Sequence, residues 1–85
     1  VSHEKLAVQL AQAVEEESRH LMQEILQGLQ DRDAQRLRRG AHTLRGSAKL
    51  FGGDETALVA GKIESLAAEE LLEAAREQIP ELEAV

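Results

Sequence analysis

The 85-residue sequence contains no cysteine, tryptophan or tyrosine, and it has a single phenylalanine and a single proline. Without cysteine the chain can form neither a disulfide framework nor a thiolate metal site, and we expect a reducing, cytoplasmic environment. The scarcity of aromatic residues and of proline favours helix over strand. No apolar run approaches the roughly 20 residues that cross a bilayer, so we expect no membrane partner.

A chain of this length forms one small domain with too little interior for a deep substrate cavity. Any chemistry is therefore expected on the surface. The sequence begins with Val1 rather than methionine, which suggests that residues 1–85 form a single domain taken from a larger protein.

The charge is unevenly distributed along the chain. The formal net charge is −6, yet residues 31–49 contain six lysines and arginines against Asp31 and Asp33. The rest of the chain is correspondingly more acidic, which together with the lack of aromatic residues argues against a nucleic-acid partner. The basic segment contains one histidine, His42, and this combination suggests a function for the segment.

Apolar residues recur at steps of three and four, which predicts an all-α fold, an antiparallel up-down bundle of about four helices. The first helix is expected from the N-cap Ser2 to about Gln30. Its polar stretch over residues 15–20 leaves open one continuous helix or two shorter ones. Its apolar stripe comprises Leu6, Leu10, Ala13, Val14, Leu21, Ile25 and Leu29.

The remaining helices are predicted from turn residues and caps. Residues 31–33 are expected to form a turn and a new N-cap, Gly52 and Gly53 a stop, Asp54 the next N-cap, and Pro80 the end of a fourth helix over residues 69–78. The predicted inner residues are Leu37, Ala41, Leu44, Ala48 and Phe51 in the second helix, Val59, Ile63 and Leu66 in the third, and Leu71, Leu72, Ala75 and Ile79 in the fourth.

On the second helix His42 shares one strip of surface with Arg38, Arg45 and Lys49, beside the predicted buried edge. Gly46 is unusual there, because glycine in a helix costs about 1 kcal/mol relative to alanine. It lies one turn from His42 and leaves space for the backbone of another protein. Plainer interpretations remain open at this point: an inert histidine, a solvated charged face, and a glycine that permits helix packing.

The segment AHTLRGSAKLFG over residues 41–52 resembles the signature of the histidine-containing phosphotransfer (HPt) family. The matching positions are His42, Leu44, Arg45, Gly46, Ser47 and Gly52. Glu64 and Phe51 are similar to residues of the phosphotransfer domain of the chemotaxis kinase CheA. The resemblance therefore points to the CheA-type branch of the family.

This resemblance implies that His42 accepts a phosphoryl group, with Arg45 offsetting its charge, Gly46 admitting the partner and Glu64 orienting the imidazole. Arg38 and Lys49 are expected to assist in partner binding. The carboxylate would accept the Nδ1 proton and leave Nε2 with its lone pair outward. One departure concerns Gly61, because CheA-type domains usually have a second histidine at that position.

The implied partners are the ATP-binding domain of a histidine kinase and the receiver domain of a response regulator. The chain has no GxxxxGK[ST] loop, so ATP and Mg²⁺ are expected to belong to the kinase. No cofactor or metal is expected in this domain, which would be a substrate and carrier rather than a self-sufficient kinase. Alternatives are a free-standing or hybrid-kinase HPt protein, and a structural bundle in which His42 is never modified.

Overall fold

The computed structural model describes residues 3–51 and 53–85. These residues form five helices and no strand: α1 (His3–Gln30), α2 (Ala34–Leu50), α3 (Asp54–Ala68), α4 (Leu72–Glu77) and α5 (Ile79–Ala84). Consecutive helices pack against one another, most extensively α2 with α3 and α1 with α2. The predicted all-α bundle is confirmed, and the two short helices together replace the predicted fourth helix.

Helix α1 is continuous through the polar stretch at residues 15–20 and ends at Gln30, as predicted. The expected N-cap, Ser2, lies outside the described residues. At 1.5 Å per residue α1 is about 42 Å long, whereas α2 reaches only about 26 Å. The other helices therefore cannot cover its N-terminal half. The predicted burial of Leu6 and Leu10 is wrong for this reason, and both are more than half exposed.

The link between α1 and α2 caps the C-terminus of α1 and the N-terminus of α2. Arg32 adopts a left-handed conformation with a φ of 53°. The amide of Asp33 donates to the Gly28 carbonyl at 2.8 Å, and that of Arg32 donates to Leu29 at 3.2 Å, which is the Schellman pattern. The Asp33 side chain then accepts the Arg36 amide and caps α2. The predicted turn and N-cap are confirmed.

Helices α1 and α2 approach closely through two glycines. A Cβ atom on Gly28 would lie 2.9 Å from the backbone nitrogen of Leu37, and one on Gly40 would lie 3.2 Å from Cγ1 of Ile25. A side chain at position 28 would force the two backbones apart, whereas one at position 40 would require the Ile25 side chain to shift. This contact fixes the position of α2 and therefore of His42.

The core consists of aliphatic residues and alanines from all five helices. Its members are Leu21, Ile25, Leu29, Leu37, Ala41, Leu44, Val59, Ala60, Ile63, Ala67, Leu72, Ala75, Ile79 and Leu82. Outside the N-terminal half of α1, four predicted core residues are not fully buried, because Phe51 and Leu71 are exposed and Ala48 and Leu66 are only partly buried. Phe51 and Leu71 are cap residues just outside a helix, where the apolar periodicity no longer applies.

Two predicted helix boundaries need correction. Gly53 rather than Asp54 is the N-cap of α3, and Asp54 is the first helical residue. Pro80 does not end a helix but lies in the first turn of α5. Proline is tolerated there because a first-turn amide has no partner within the helix. Gly52, the other half of the predicted stop, lies outside the described residues.

A helix that crosses a membrane needs about 20 predominantly apolar residues. Although α1 has enough residues, neither it nor any other helix in residues 3–51 and 53–85 is sufficiently apolar.

We expect Gly28→Ala to destabilise the fold by about 1–3 kcal/mol, because the new methyl group overlaps the backbone of Leu37. Gly46→Ala is the matched control. No atom lies within 4 Å of the Cβ position there, so helix propensity should stabilise the protein by about 0.5–1 kcal/mol. Urea unfolding of both variants measures the two effects, and equal effects would contradict the proposed glycine contact.

Candidate functional site

His42 lies on the rim between the core and the solvent. Its neighbours Ala41 and Leu44 are buried, which fixes the rotation of α2 about its axis. The imidazole is consequently held outside the core, and 64 % of its side chain is exposed. Helix α3, packed alongside α2, brings Glu64 to the same place, with only 16 % of its side chain exposed.

The imidazole and the carboxylate are in direct contact. Nδ1 of His42 lies 2.7 Å from Oε2 of Glu64. An ionised carboxylate only accepts hydrogen bonds, so Nδ1 must carry the proton and donate it. In the neutral ring the lone pair is then on Nε2. The sequence prediction that these two side chains meet therefore agrees with the geometry.

Arg45 contacts the second oxygen of the same carboxylate. Its Nε lies 3.2 Å from Oε1 of Glu64, so Glu64 bridges the imidazole and the guanidinium group. The aliphatic part of Arg45 passes over Gly61, where a Cβ atom would lie 3.3 Å from Cδ of Arg45. The glycine at position 61 therefore provides the space in which the arginine lies.

Part of the basic segment has a structural role. Nε of Arg36 lies 2.6 Å from Oε2 of Glu24, which ties α2 to α1. This hydrogen bond holds the pKa of the Glu24 carboxyl below its usual value. Arg32 pairs with Glu73 at 3.3 Å. These two arginines are therefore paired with carboxylates that lie away from His42.

Two other arginines are placed beside the histidine. A shallow depression of about 380 Å³ is lined by Gln35, Arg38, Arg39, His42, Thr43 and Glu64. Among the described residues, neither Arg38 nor Arg39 forms a salt bridge. Their guanidinium groups are thus available to an anion at the histidine, within a site open to solvent.

The structure separates the predicted site residues into two groups. Arg38 and Glu64 share the depression with His42, whereas Arg45 and Lys49 line a larger, mostly apolar groove of about 740 Å³ that does not include the histidine. Gly46 is exposed, with open space above it. We assign the chemistry to the smaller depression, because it contains the exposed ring.

Three lining residues were missed from the sequence: Gln35, Arg39 and Thr43. Gln35 and Arg39 precede His42 by seven and three residues and so occupy the same helix face. That spacing could have identified them.

In the part of the chain that the structure describes, no three histidine, aspartate or glutamate side chains converge as metal ligands. The exposed functional groups at the site are an oriented imidazole nitrogen and two arginine side chains. Such a nitrogen is a nucleophile for an electrophilic phosphorus atom, and the arginines suit the charge of a phosphoryl group.

An all-α bundle that presents an oriented histidine on a helix face defines a class of phosphotransfer modules. A family model, the Hpt domain, matches residues 9–85. The chain belongs to the Hpt domain family, whose members carry out phosphotransfer in two-component signalling and interact with kinases and response regulators. No curated protein and no solved structure matches the chain. The predicted family is confirmed, and its CheA-type branch stays a prediction.

We expect Glu64→Ala to remove the preference of His42 for the tautomer that is protonated on Nδ1. In the unchanged protein the neutral ring should carry its proton on Nδ1, since Glu64 accepts it. The variant should show a mixture of both tautomers in ¹⁵N NMR spectra of the imidazole. Glu55→Ala, which removes an exposed carboxylate from the first turn of α3, is the control. An unchanged tautomer in Glu64→Ala would contradict the orienting role.

Proposed function

We propose that His42 accepts a phosphoryl group from the catalytic domain of a histidine kinase and passes it to an aspartate of a response-regulator receiver domain. The hydrogen bond of 2.7 Å between Nδ1 of His42 and Glu64 carries this proposal. It directs the unprotonated Nε2 away from the carboxylate on a ring that is 64 % exposed. The partner domains can therefore reach the nucleophile.

In the forward step Nε2 attacks the γ-phosphorus of ATP. The new N–P bond forms as the bond to the bridging oxygen breaks, and ADP leaves. The ring becomes positively charged while Nδ1 keeps its proton, and the adjacent carboxylate stabilises that charge. In the second step an aspartate oxygen of the receiver attacks phosphorus, the N–P bond breaks, and the neutral imidazole is restored.

The arginines beside the histidine stabilise the negative charge of the transferred phosphoryl group. Arg38 and Arg39 line the depression with His42, and each can donate to oxygens of the transferred group. Arg45 contacts Glu64. It therefore assists phosphoryl transfer indirectly, by holding that carboxylate in position. Gly46 and Lys49 are proposed to contact the incoming domain, since the turn at Gly46 is open and Lys49 lines the adjoining groove.

The kinase is proposed to contribute the nucleotide and Mg²⁺, because the chain has no Gly-rich phosphate loop. The domain would then be a phosphate carrier in the cytoplasm. Within the family we infer a chemotaxis-type kinase as the parent, with residues 1–85 as its phosphotransfer domain. The pairing of Glu64 with His42 supports this branch.

The proposal predicts a phosphoryl adduct at one histidine. Incubation with a histidine kinase catalytic domain and labelled ATP should give an adduct that is acid-labile and base-stable, as expected of phosphohistidine. His42→Gln should abolish it. His20→Gln is the matched control, because His20 is also an exposed histidine paired with a glutamate, at 4.0 Å. Label that persists in His42→Gln, or no adduct with any histidine kinase, would refute the proposal.

A second prediction concerns the two arginines. Replacing Arg38 and Arg39 together by alanine should slow phosphorylation of His42 by roughly tenfold or more, since charged hydrogen bonds contribute about 1.5–3 kcal/mol each. The measurement is the initial rate of label incorporation at fixed kinase concentration. Arg32→Ala, which removes a cation paired with Glu73, should leave the rate unchanged. Equal effects of the two substitutions would exclude a local role for Arg38 and Arg39.

A further inference from the structure

The N-terminal half of α1 projects beyond the bundle. Every residue from 3 to 17 is exposed except Val14, which is half-buried. Three large apolar side chains on this segment, Leu6, Val8 and Leu10, are 54 %, 56 % and 56 % exposed. Such a length of exposed apolar helix requires an explanation, because an isolated helix of this size is only marginally stable in water.

The exposed residues continue the stripe that packs in the bundle. Leu10, Val14, Leu21 and Ile25 follow one another at steps of four, seven and four residues, which places them on the same side of α1. Leu21 and Ile25 are buried by the other helices. The stripe is thus one continuous apolar face, and only its C-terminal half is covered within the described residues.

The chain exposes more solvent-accessible surface than a compact monomer of the same mass. A folded monomer of 9.3 kDa exposes about 5,000 Å², whereas this chain exposes 5734 Å². Its radius of gyration is 13.7 Å, against about 12 Å for a compact domain of this length. The excess area is close to the roughly 800 Å² that each partner buries in a stable interface.

We propose that residues 3–17 pair in antiparallel fashion with the same segment of a second copy of this chain. The segment is about 22 Å long and has Leu10 at its centre. Pairing over its full length places Leu10 on the two-fold axis and Leu6 against Val14 of the partner subunit. The two bundles then lie at opposite ends of the helix pair, so they do not collide.

The charges favour the antiparallel arrangement. Glu15, Glu16 and Glu17 follow one another at the inner end of the segment. A parallel pair would set these carboxylates beside their own copies, which is unfavourable. An antiparallel pair instead sets them near Lys5 and the positive N-terminal end of the partner's helix. None of residues 3–17 lines the depression at His42, so the dimer leaves both histidines accessible.

Sedimentation equilibrium of the whole chain tests the dimer. We expect the unchanged protein to be dimeric at micromolar to millimolar concentrations and Leu10→Glu to be monomeric with the same helix content. Leu58→Glu is the matched control, because Leu58 is a 64 % exposed leucine on α3, and it should remain dimeric. A monomeric unchanged protein, a dimer that survives Leu10→Glu, or equal dissociation of both variants would overturn the proposal.

Single cysteines test the direction of pairing, since the chain has none of its own. Oxidation should cross-link Leu10→Cys into a disulfide-bonded dimer across the axis. Leu6→Cys alone should not cross-link, because its two copies would lie about 12 Å apart along the axis, beyond the reach of a disulfide. Mixing it with Val14→Cys should restore cross-linking. Efficient cross-linking of Leu6→Cys alone would indicate parallel helices and overturn the antiparallel pairing.

Discussion

The site depends on one carboxylate that joins two helices. Glu64 projects from α3 and contacts two residues of α2, the imidazole of His42 at 2.7 Å and the guanidinium of Arg45 at 3.2 Å. The pairing requires a particular axial and rotational position of α3 against α2. Ile63, which directly precedes Glu64, and Ala60, one helical turn before it, are buried and fix that position through the core. Orientation of the histidine is therefore a consequence of helix packing.

Helix α2 is in turn held by its contact with α1. Gly28 and Gly40 allow the two backbones to approach closely. The link at Arg32 and Asp33 ends α1 and begins α2 within three residues. An ion pair between Arg36 and Glu24 adds a second connection. These constraints leave α2 few ways to rotate, which matters because a rotation of one residue would turn His42 by about 100°.

Much of this arrangement could be predicted from the sequence, because it depends on local signals. The cap at Asp33 and the apolar steps that bury Leu37 follow from helix chemistry, and the pairing of Glu64 with His42 followed from the family resemblance. The projection of α1 could not be predicted, since periodicity shows which face is apolar but not how far neighbouring helices extend. Pro80 was misjudged because proline is compatible with a helix start as well as with a helix end. Arg39 could have been identified from its spacing to His42, but the depression that it lines with Glu64 depends on how α3 packs against α2.

Gly61 and Arg45 are best understood together. The resemblance to CheA-type domains predicts a histidine at position 61, but even a Cβ atom there would lie 3.3 Å from Cδ of Arg45. A histidine at position 61 would therefore require the Arg45 side chain to shift from its observed position. The guanidinium places a permanent positive charge beside Glu64, whereas a histidine would be charged only when protonated. The carboxylate thus keeps a charged partner on one oxygen while the other orients His42, without a second histidine in the site.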